Sequence, residues 1–300
     1  MQDSKARGTV WEVPAGKFNA GATKLWNSLG ESGQNVITQL DGDPDYCRRV
    51  AEFMRSGGMI PSLHQELACE IMGKENVWLP IDWCRYYGYP LTEKEFQQTV
   101  EIPFSPEVLE QAKDDYFLLY AMPIMPNGEG SLTVRMLWSL LEVKDDKSFA
   151  HVGPWIDSQS FDGIVKDTLS GWHLVRKEII PDSVNKSYSE QASLLDENLQ
   201  VPSPIQEAMK SILVYIKTGK RVNQKKCSRT SCMIYLNGVQ EPEKCISVGF
   251  FPQLWQSKKI SRGLMLWAWH SYLESHDWMR DIDYARQPDL GMGAAWRPAS

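Results

Sequence analysis

The chain has no long apolar run and no apolar segment at its start. Its longest uncharged apolar stretches, around residues 116–126 and 263–273, are well short of the roughly 20 residues that a membrane span needs. Residues 1–7 (MQDSKAR) lack the apolar region of a secretory signal. We therefore expect a soluble, cytoplasmic protein that does not interact with membranes.

The common short signatures of catalysis and cofactor binding are also absent. The sequence contains no GxSxG nucleophile elbow, no GxxxxGK[ST] phosphate loop and no GxGxxG dinucleotide-binding turn. We expect no cofactor, and these absences alone leave open whether the protein is an enzyme.

A paired C-x2-C metal knuckle is missing, although the chain has six cysteines. Cys227, Cys232 and Cys245 supply three thiols near one predicted hairpin, whereas a structural zinc site needs four ligands. Cys232 and Cys245 also fall in apolar strand patterns, where a small buried thiol needs no special role. We therefore expect reduced cysteines and no bound metal.

Acidic residues are nearly missing from residues 208–273, which we call the basic segment. It carries eleven Lys and Arg but only two acidic residues, Glu241 and Glu243. The other 234 residues hold 21 basic and 36 acidic side chains, so a chain of net charge −6 contains a segment of net charge +9. Clustered cations attract polyanions whatever the fold. The segment indicates a nucleic acid, another polyanion or an acidic protein as a partner.

The cations of the basic segment fall into two clusters, one running past the end of a predicted helix and one beside Trp255. Lys210 and Lys217 are seven residues apart on that helix, so they share a face, which we expect to lie away from its apolar stripe. If both clusters lie on one face, they suit phosphates, with Trp255 or Phe251 available to stack on bases. Otherwise a solvated basic face explains them. The candidate binding residues are Lys210, Lys217, Lys220, Arg221, Lys225, Lys226, Arg229, Lys258, Lys259, Arg262 and Trp255.

An enzymatic alternative rests on Glu142-Val143-Lys144, which follows the apolar run 136–141. Many metal-dependent nucleases hold Mg²⁺ with a strand that ends in Glu-x-Lys and with an earlier acidic residue. This pattern predicts a metal-dependent hydrolase or nuclease that uses Glu142 and Lys144. A third hypothesis is a structural or assembly protein whose tryptophan-rich surfaces are buried in an oligomer, although the sequence does not indicate an oligomeric state.

Local patterns predict an α+β protein with a mostly helical N-terminal half. We expect loops and short strands over residues 1–40, where Gly, Ser, Asn and Thr are frequent. Helices are predicted to begin after Asp43, Ser62, Thr92 and Ser105, since each is a capping residue ahead of a helical pattern. The apolar run 116–122 predicts a buried strand.

The C-terminal half is predicted to pack two capped helices on a small, mainly antiparallel sheet. Ser187-x-x-Glu190 and Ser203-x-x-Gln206 are capping-box signatures, and the first of these helices is expected to run to about Leu199. Strands are predicted over residues 172–180, 232–236, 246–251 and 264–270, with a turn at Asn237-Gly238.

The polar stretch 144–170 suggests a boundary between domains. We predict a helical, aromatic-rich domain over residues 1–150 and an α+β domain containing the basic segment over residues 151–285. Residues 286–300 are predicted to form a mobile tail.

Residues 171–177 (GWHLVRK) are followed by Pro181, Ser183, Glu190-Gln191 and Pro202. This block resembles a recurring block in uncharacterised proteins from bacteria of the candidate phyla. The likeness continues through Gly219-Lys220-Arg221 to Val248-Gly249-Phe250 and so covers about the second half of the chain. It implies a bacterial origin but no activity, because none is assigned to those proteins.

Overall fold

The computed structural model describes residues 15–55, 58–89, 91–123, 132–133, 137, 150–151, 168–223, 227–236, 239–250, 264–268 and 290–297. The chain divides into two compact units, residues 1–58 and residues 59–300. The predicted boundary near residue 150 lies inside the second of these units. Strands before and after that position pair with each other, with Tyr116 opposite Arg176.

The first unit contains three described helices, α1 (Ala15–Leu29), α2 (Gly33–Gly42) and α3 (Pro44–Arg55). Asp43 caps α3, since its Oδ1 accepts hydrogen bonds from the backbone N–H groups of Asp45 (2.9 Å) and Tyr46 (3.0 Å). The helix predicted after Asp43 is therefore confirmed. The expectation of loops and short strands is wrong for residues 15–40, because Ala, Lys and Leu between the glycines are strong helix formers.

Six α-helices lie in the described part of the second unit. They are α4 (Leu63–Met72), α5 (Pro80–Tyr87), α6 (Glu93–Gln97), α7 (Pro106–Ala112), α8 (Tyr188–Ala192) and α9 (Pro204–Thr218). Five begin after a Ser or Thr whose hydroxyl accepts a hydrogen bond from the backbone N–H three residues later. These capping residues are Ser62, Thr92, Ser105, Ser187 and Ser203, which confirms the predicted helix starts. Helix α8 ends at Ala192, earlier than the expected Leu199.

The first sheet has five strands, in the order β1 (Val77–Trp78), β2 (Tyr116–Ala121), β6 (Gly171–Arg176), β12 (Ala295–Trp296) and β7 (Leu199–Gln200). Strands β1 and β2 are parallel, and the other neighbours are antiparallel. All six residues of β2 are buried, which confirms the strand predicted from the apolar run.

The second sheet has the order β11 (Leu290–Met292), β8 (Cys227–Leu236), β9 (Val239–Phe250), β10 (Leu264–Ala268) and β4 (Ala150–His151). Its three central strands are antiparallel, whereas β11 and β4 run parallel to their neighbours. Strands β3 (Leu132–Thr133) and β5 (Thr168–Leu169) form a separate antiparallel pair. The α+β class is confirmed. The turn predicted at Asn237-Gly238 lies outside the described residues.

Residues 290–297, which fall in the predicted tail, contribute β11 and β12 to the two five-stranded sheets. Met292 O accepts a hydrogen bond from Ile180 N (2.7 Å), and Ala294 O accepts one from Arg176 N (2.8 Å). Gly293 is buried so tightly that a Cβ placed on it would lie 2.5 Å from Ser228 Oγ. Position 293 therefore requires glycine, because a larger side chain would force its neighbours to shift.

Helix α9 lies in the core of the second unit. It contacts β6 of the first sheet and β8, β9 and β10 of the second. Its apolar residues Ile205, Ala208, Met209, Ile212 and Leu213 are fully buried. Burial on this scale stabilises the fold by roughly 1.5–3 kcal/mol for each large aliphatic side chain.

Aromatic side chains fill the space around α5. Trp78 and Trp83 are almost completely buried, and Trp83 Nε1 donates a hydrogen bond to Tyr120 O (2.8 Å). The rings of Trp78 and Tyr86 are stacked with centroids 5.1 Å apart. Trp172 is also buried, so these three tryptophans serve the core.

Candidate polyanion interface

Lys210 is fully buried on α9, which corrects the expectation that it faces solvent. Its Nζ lies 2.7 Å from Glu207 Oε2 and donates a hydrogen bond to Arg176 O (2.9 Å). The expectation failed because this end of α9 is surrounded by protein and has no solvated face. Lys210 therefore cannot contact a polyanion.

Lys217 is also held against the protein, with its side chain 15% exposed. Its Nζ donates to Asp82 Oδ2 (2.8 Å) and to Val77 O. The buried Asp82 carboxylate also accepts hydrogen bonds from Arg85 Nη1 (3.0 Å) and Leu79 N (2.9 Å). Lys217 thus joins the end of α9 to the start of α5, and its charge is compensated within the fold.

Arg229 is the third predicted binding residue that lies inside the protein. It is 1% exposed on β8, and its Nη1 donates to Gln191 Oε1 (3.2 Å) and Lys186 O (3.3 Å). These bonds connect the second sheet to the segment around α8. A guanidinium in this position has a structural role and is not available to a large ligand.

Lys220 and Arg221 lie at the surface, immediately after α9 ends. Gly219 ends the helix in the left-handed conformation (φ 70°), and its N–H donates to Tyr215 O (2.7 Å). Lys220 is exposed; Arg221 is half-buried, with its guanidinium carbon 5.9 Å from the centroid of the Tyr215 ring. The structure therefore brings these two predicted residues together on the surface.

The remaining predicted binding residues lie outside the described part of the chain. These are Lys225, Lys226, Lys258, Lys259, Arg262 and Trp255. Whether the two clusters share a face stays a prediction. Glu142 and Lys144 of the enzymatic alternative also lie outside the described residues.

A buried polar cluster at the start of α9 was not predicted from the sequence. It centres on the Glu207–Lys210 ion pair, whose side chains are both fully buried. Within the described residues, neither oxygen of Glu207 accepts a hydrogen bond with good geometry. The sequence signal was an acid and a base three residues apart inside an otherwise apolar helical stretch.

His173 on β6 is half-buried and contacts Gln206, which precedes Glu207 in the chain. Its Nδ1 is 3.2 Å from Gln206 Nε2, and its Nε2 is 2.9 Å from Ser170 O. This arrangement suits a neutral ring that accepts at Nδ1 and donates at Nε2. Burial lowers the pKa of His173 to about 4, despite the opposing effect of the bond to Ser170. At neutral pH the ring is uncharged.

The described residues include two half-buried cysteines, Cys69 and Cys84, and a depression beside Trp78. Burial raises the pKa of the Cys69 and Cys84 thiols, so neither is a reactive thiolate at neutral pH. No group of three or more His, Cys, Asp or Glu side chains among the described residues could hold a metal ion. A depression beside Trp78 and Lys217 encloses essentially no cavity volume, whereas typical ligand pockets have roughly 300–1,000 Å³.

Comparison with protein-family models, curated proteins and solved structures finds no match to this chain. Within the described residues, no helix has the length and apolar character needed to cross a membrane.

Proposed function

We propose that this protein is a non-catalytic binding protein that engages nucleic acid or another polyanion through the surface part of its basic segment. The supporting observation is the position of Lys220 and Arg221 at the surface, just beyond α9. The sequence continues from them into Lys225 and Lys226. A stretch of sequence with four cations and no acidic residue, of which Lys220 and Arg221 lie at the surface, favours a polyanionic ligand.

The buried cations restrict this site. Lys210, Lys217 and Arg229 have carboxylate, amide or carbonyl partners within the fold, so they are excluded from the proposal. The proposed site therefore comprises the surface residues Lys220 and Arg221, the adjoining Lys225 and Lys226 of the sequence, and the second cluster around Trp255. Phosphate contacts supply the affinity, and the indole ring provides a stacking surface for a base.

Fluorescence anisotropy with a labelled single-stranded oligonucleotide tests the proposal. We expect binding that weakens steeply between about 50 and 200 mM salt, because neutralised phosphates release counterions. Unlabelled heparin should compete if charge alone is recognised. Binding that does not change over this salt range would contradict the proposal.

Charge-neutralising substitutions locate the site. Lys220→Gln with Arg221→Gln should weaken binding and lower the salt slope by about 1.4, the value for two lost phosphate contacts on a single strand. Lys74→Gln with Lys94→Gln is the matched control, because both are exposed lysines outside the basic segment. If the two double variants lose equal affinity for the oligonucleotide, binding depends on the net charge of the protein and not on this site.

The same samples distinguish the alternatives. Cleavage of the oligonucleotide that requires a divalent cation and is lost in Glu142→Ala would replace the proposal with the metal-dependent hydrolase hypothesis. A large apparent mass without oligonucleotide binding would favour an assembly protein.

A further inference from the structure

Three hydrogen bonds in series connect the start of α9 to the residue before β6. Ser203 N donates to Gln206 Oε1 (2.8 Å), Gln206 Nε2 lies 3.2 Å from His173 Nδ1, and His173 Nε2 lies 2.9 Å from Ser170 O. Gln206 is 7% exposed and His173 is half-buried. The middle of the series is therefore largely shielded from water, where an unmade hydrogen bond is costly.

The two ends of the series fix the direction of every bond. A backbone N–H can only donate, and a backbone C=O can only accept. Ser203 N therefore requires the oxygen of the Gln206 amide, which turns the NH2 group of that amide toward His173 Nδ1. Because Nδ1 must accept, the ring proton is on Nε2, where it donates to Ser170 O. Only the neutral ring with its proton on Nε2 satisfies all three bonds.

Protonation of His173 would break this series at Gln206. An imidazolium has a proton on both nitrogens, so Nδ1 would face the Gln206 NH2 group donor to donor. Rotation of the amide would offer its oxygen to the ring but would withdraw that oxygen from Ser203 N. The capping box of α9 would keep only its other bond, from Gln206 N to Ser203 Oγ (3.4 Å). The new positive charge would also lie near the N-terminus of α9, where the helix dipole disfavours cations.

The elements packed against β6 bring few charged groups to His173. Helix α9 contributes Glu207 and Lys210, which pair with each other. Strand β2 places Leu119 opposite His173, and β12 carries no titratable side chain. The other titratable residues of β2 and β6 are Tyr116, Tyr120 and Arg176. Burial is therefore the main cause that lowers the pKa of His173, and the bond to Ser170 opposes it.

We propose that His173 and Gln206 form an acid-sensitive latch, which holds the first turn of α9 against β6 while the ring is neutral and releases it when the ring is protonated. Lys210 still bonds to Arg176 O one turn further along α9, so the release is confined to the start of the helix. The latch is separate from the proposed polyanion site, because Lys220 and Arg221 lie beyond the other end of α9.

Ring ¹⁵N chemical shifts of the full chain, labelled at histidine, test the direction of the bonds. At neutral pH we expect His173 to show a bare Nδ1 and a protonated Nε2, assigned from the signal that His173→Gln removes. On acidification, the amide resonance of Ser203 should shift with the same midpoint as the ring. The Ser62 amide is the internal control, because it bonds to Gln65 Oε1 in a similar capping box whose amide donates to Thr99 O and not to a histidine. A ring proton on Nδ1 at neutral pH, or a Ser203 amide that does not follow the ring, overturns the proposal.

Gln206→Glu tests the latch while keeping the cap, since Glu is also favoured at this position of a capping box. A carboxylate accepts at both oxygens, so one can bind Ser203 N while the other accepts from a protonated Nδ1. The pKa of His173 should therefore rise, with proton binding at least about tenfold tighter than in the native chain.

Gln97→Glu is the matched control, because it adds the same charge at an exposed position on α6. It should leave proton binding to His173 within about twofold of the native value. The latch is ruled out if Gln206→Glu fails to tighten proton binding, or if Gln97→Glu tightens it equally.

Discussion

At the residue scale, the Glu207–Lys210 pair is the most consequential feature of α9. Two opposite charges are fully buried 2.7 Å apart, and each is costly in an apolar interior without the other. Lys210 also bonds to Arg176 O, which ties α9 to β6. The pair thus fixes how the helix sits on the first sheet.

Removing one member of this pair should destabilise the protein strongly. We expect Lys210→Met to lower the free energy of unfolding by about 3–5 kcal/mol, because Glu207 remains as an uncompensated buried charge. The double variant Glu207→Leu with Lys210→Met should recover most of that loss. Urea unfolding measures both. Lys220→Met is the exposed control and should change the free energy by no more than about 0.5 kcal/mol. An unchanged urea midpoint for Lys210→Met would show that Lys210 is not buried.

The neutral state of His173 should make stability depend on pH. Burial lowers its folded-state pKa to about 4, below the unfolded value of 6.5. The unfolded chain therefore takes up the proton more readily. This contribution to stability is present above about pH 6.5 and is lost as the pH falls, by about 3 kcal/mol at pH 4.

Comparison of two histidine variants isolates this effect from the titration of carboxylates. Urea midpoints at about pH 7, 5.5 and 4 should fall less for His173→Gln than for the native chain, because glutamine does not titrate. His64 is exposed, so His64→Gln should follow the native profile. Identical profiles for all three proteins would contradict a buried, neutral His173.

At the element scale, helix starts were predictable because their signals are local. Ser187 and Ser203 cap α8 and α9 through contacts three residues away, and those contacts are encoded in adjacent sequence. Strand order was not predictable in the same way. Strand β12 pairs with β6 and β7 across a separation of about one hundred residues or more, and no local pattern specifies such a partner.

The candidate site was predicted only in part. The sequence shows which residues are charged, but it does not show which of them form ion pairs or hydrogen bonds inside the fold. Lys210 and Lys217 were correctly placed on one helix, yet their partners, Arg176 O and Asp82, come from distant segments. Lys220 and Arg221 lie at the surface, in the turn that follows the Gly219 cap. Local sequence thus located the helix end, whereas the tertiary fold decided which cations are exposed.

At the scale of the whole molecule, the charge available to a partner is smaller than the composition suggests. Of the eleven cations in the basic segment, Lys210, Lys217 and Arg229 belong to the interior. The reduced surface charge predicts fewer phosphate contacts than the net charge of the segment implies. The slope of log K against log salt concentration, measured on the native chain, should therefore reflect the surface cations only.

The two units differ in how much core they contain, and this difference predicts opposite effects of two deletions. Every residue of the described hydrophobic core lies between Ala68 and Ala294. A chain that begins at Met59 should therefore keep a cooperative thermal transition within about 4 °C of the native midpoint. A change of that size corresponds to roughly 1 kcal/mol of stability for a chain of this length.

Deleting residues 290–300 is the control, since it removes fewer residues but takes β11, β12 and the buried Ala294 and Ala295 from the sheets. We expect that shorter deletion to lower the midpoint by more than about 10 °C or abolish the transition. If the longer deletion is the more damaging one, the core of residues 59–300 does not suffice to hold that unit folded.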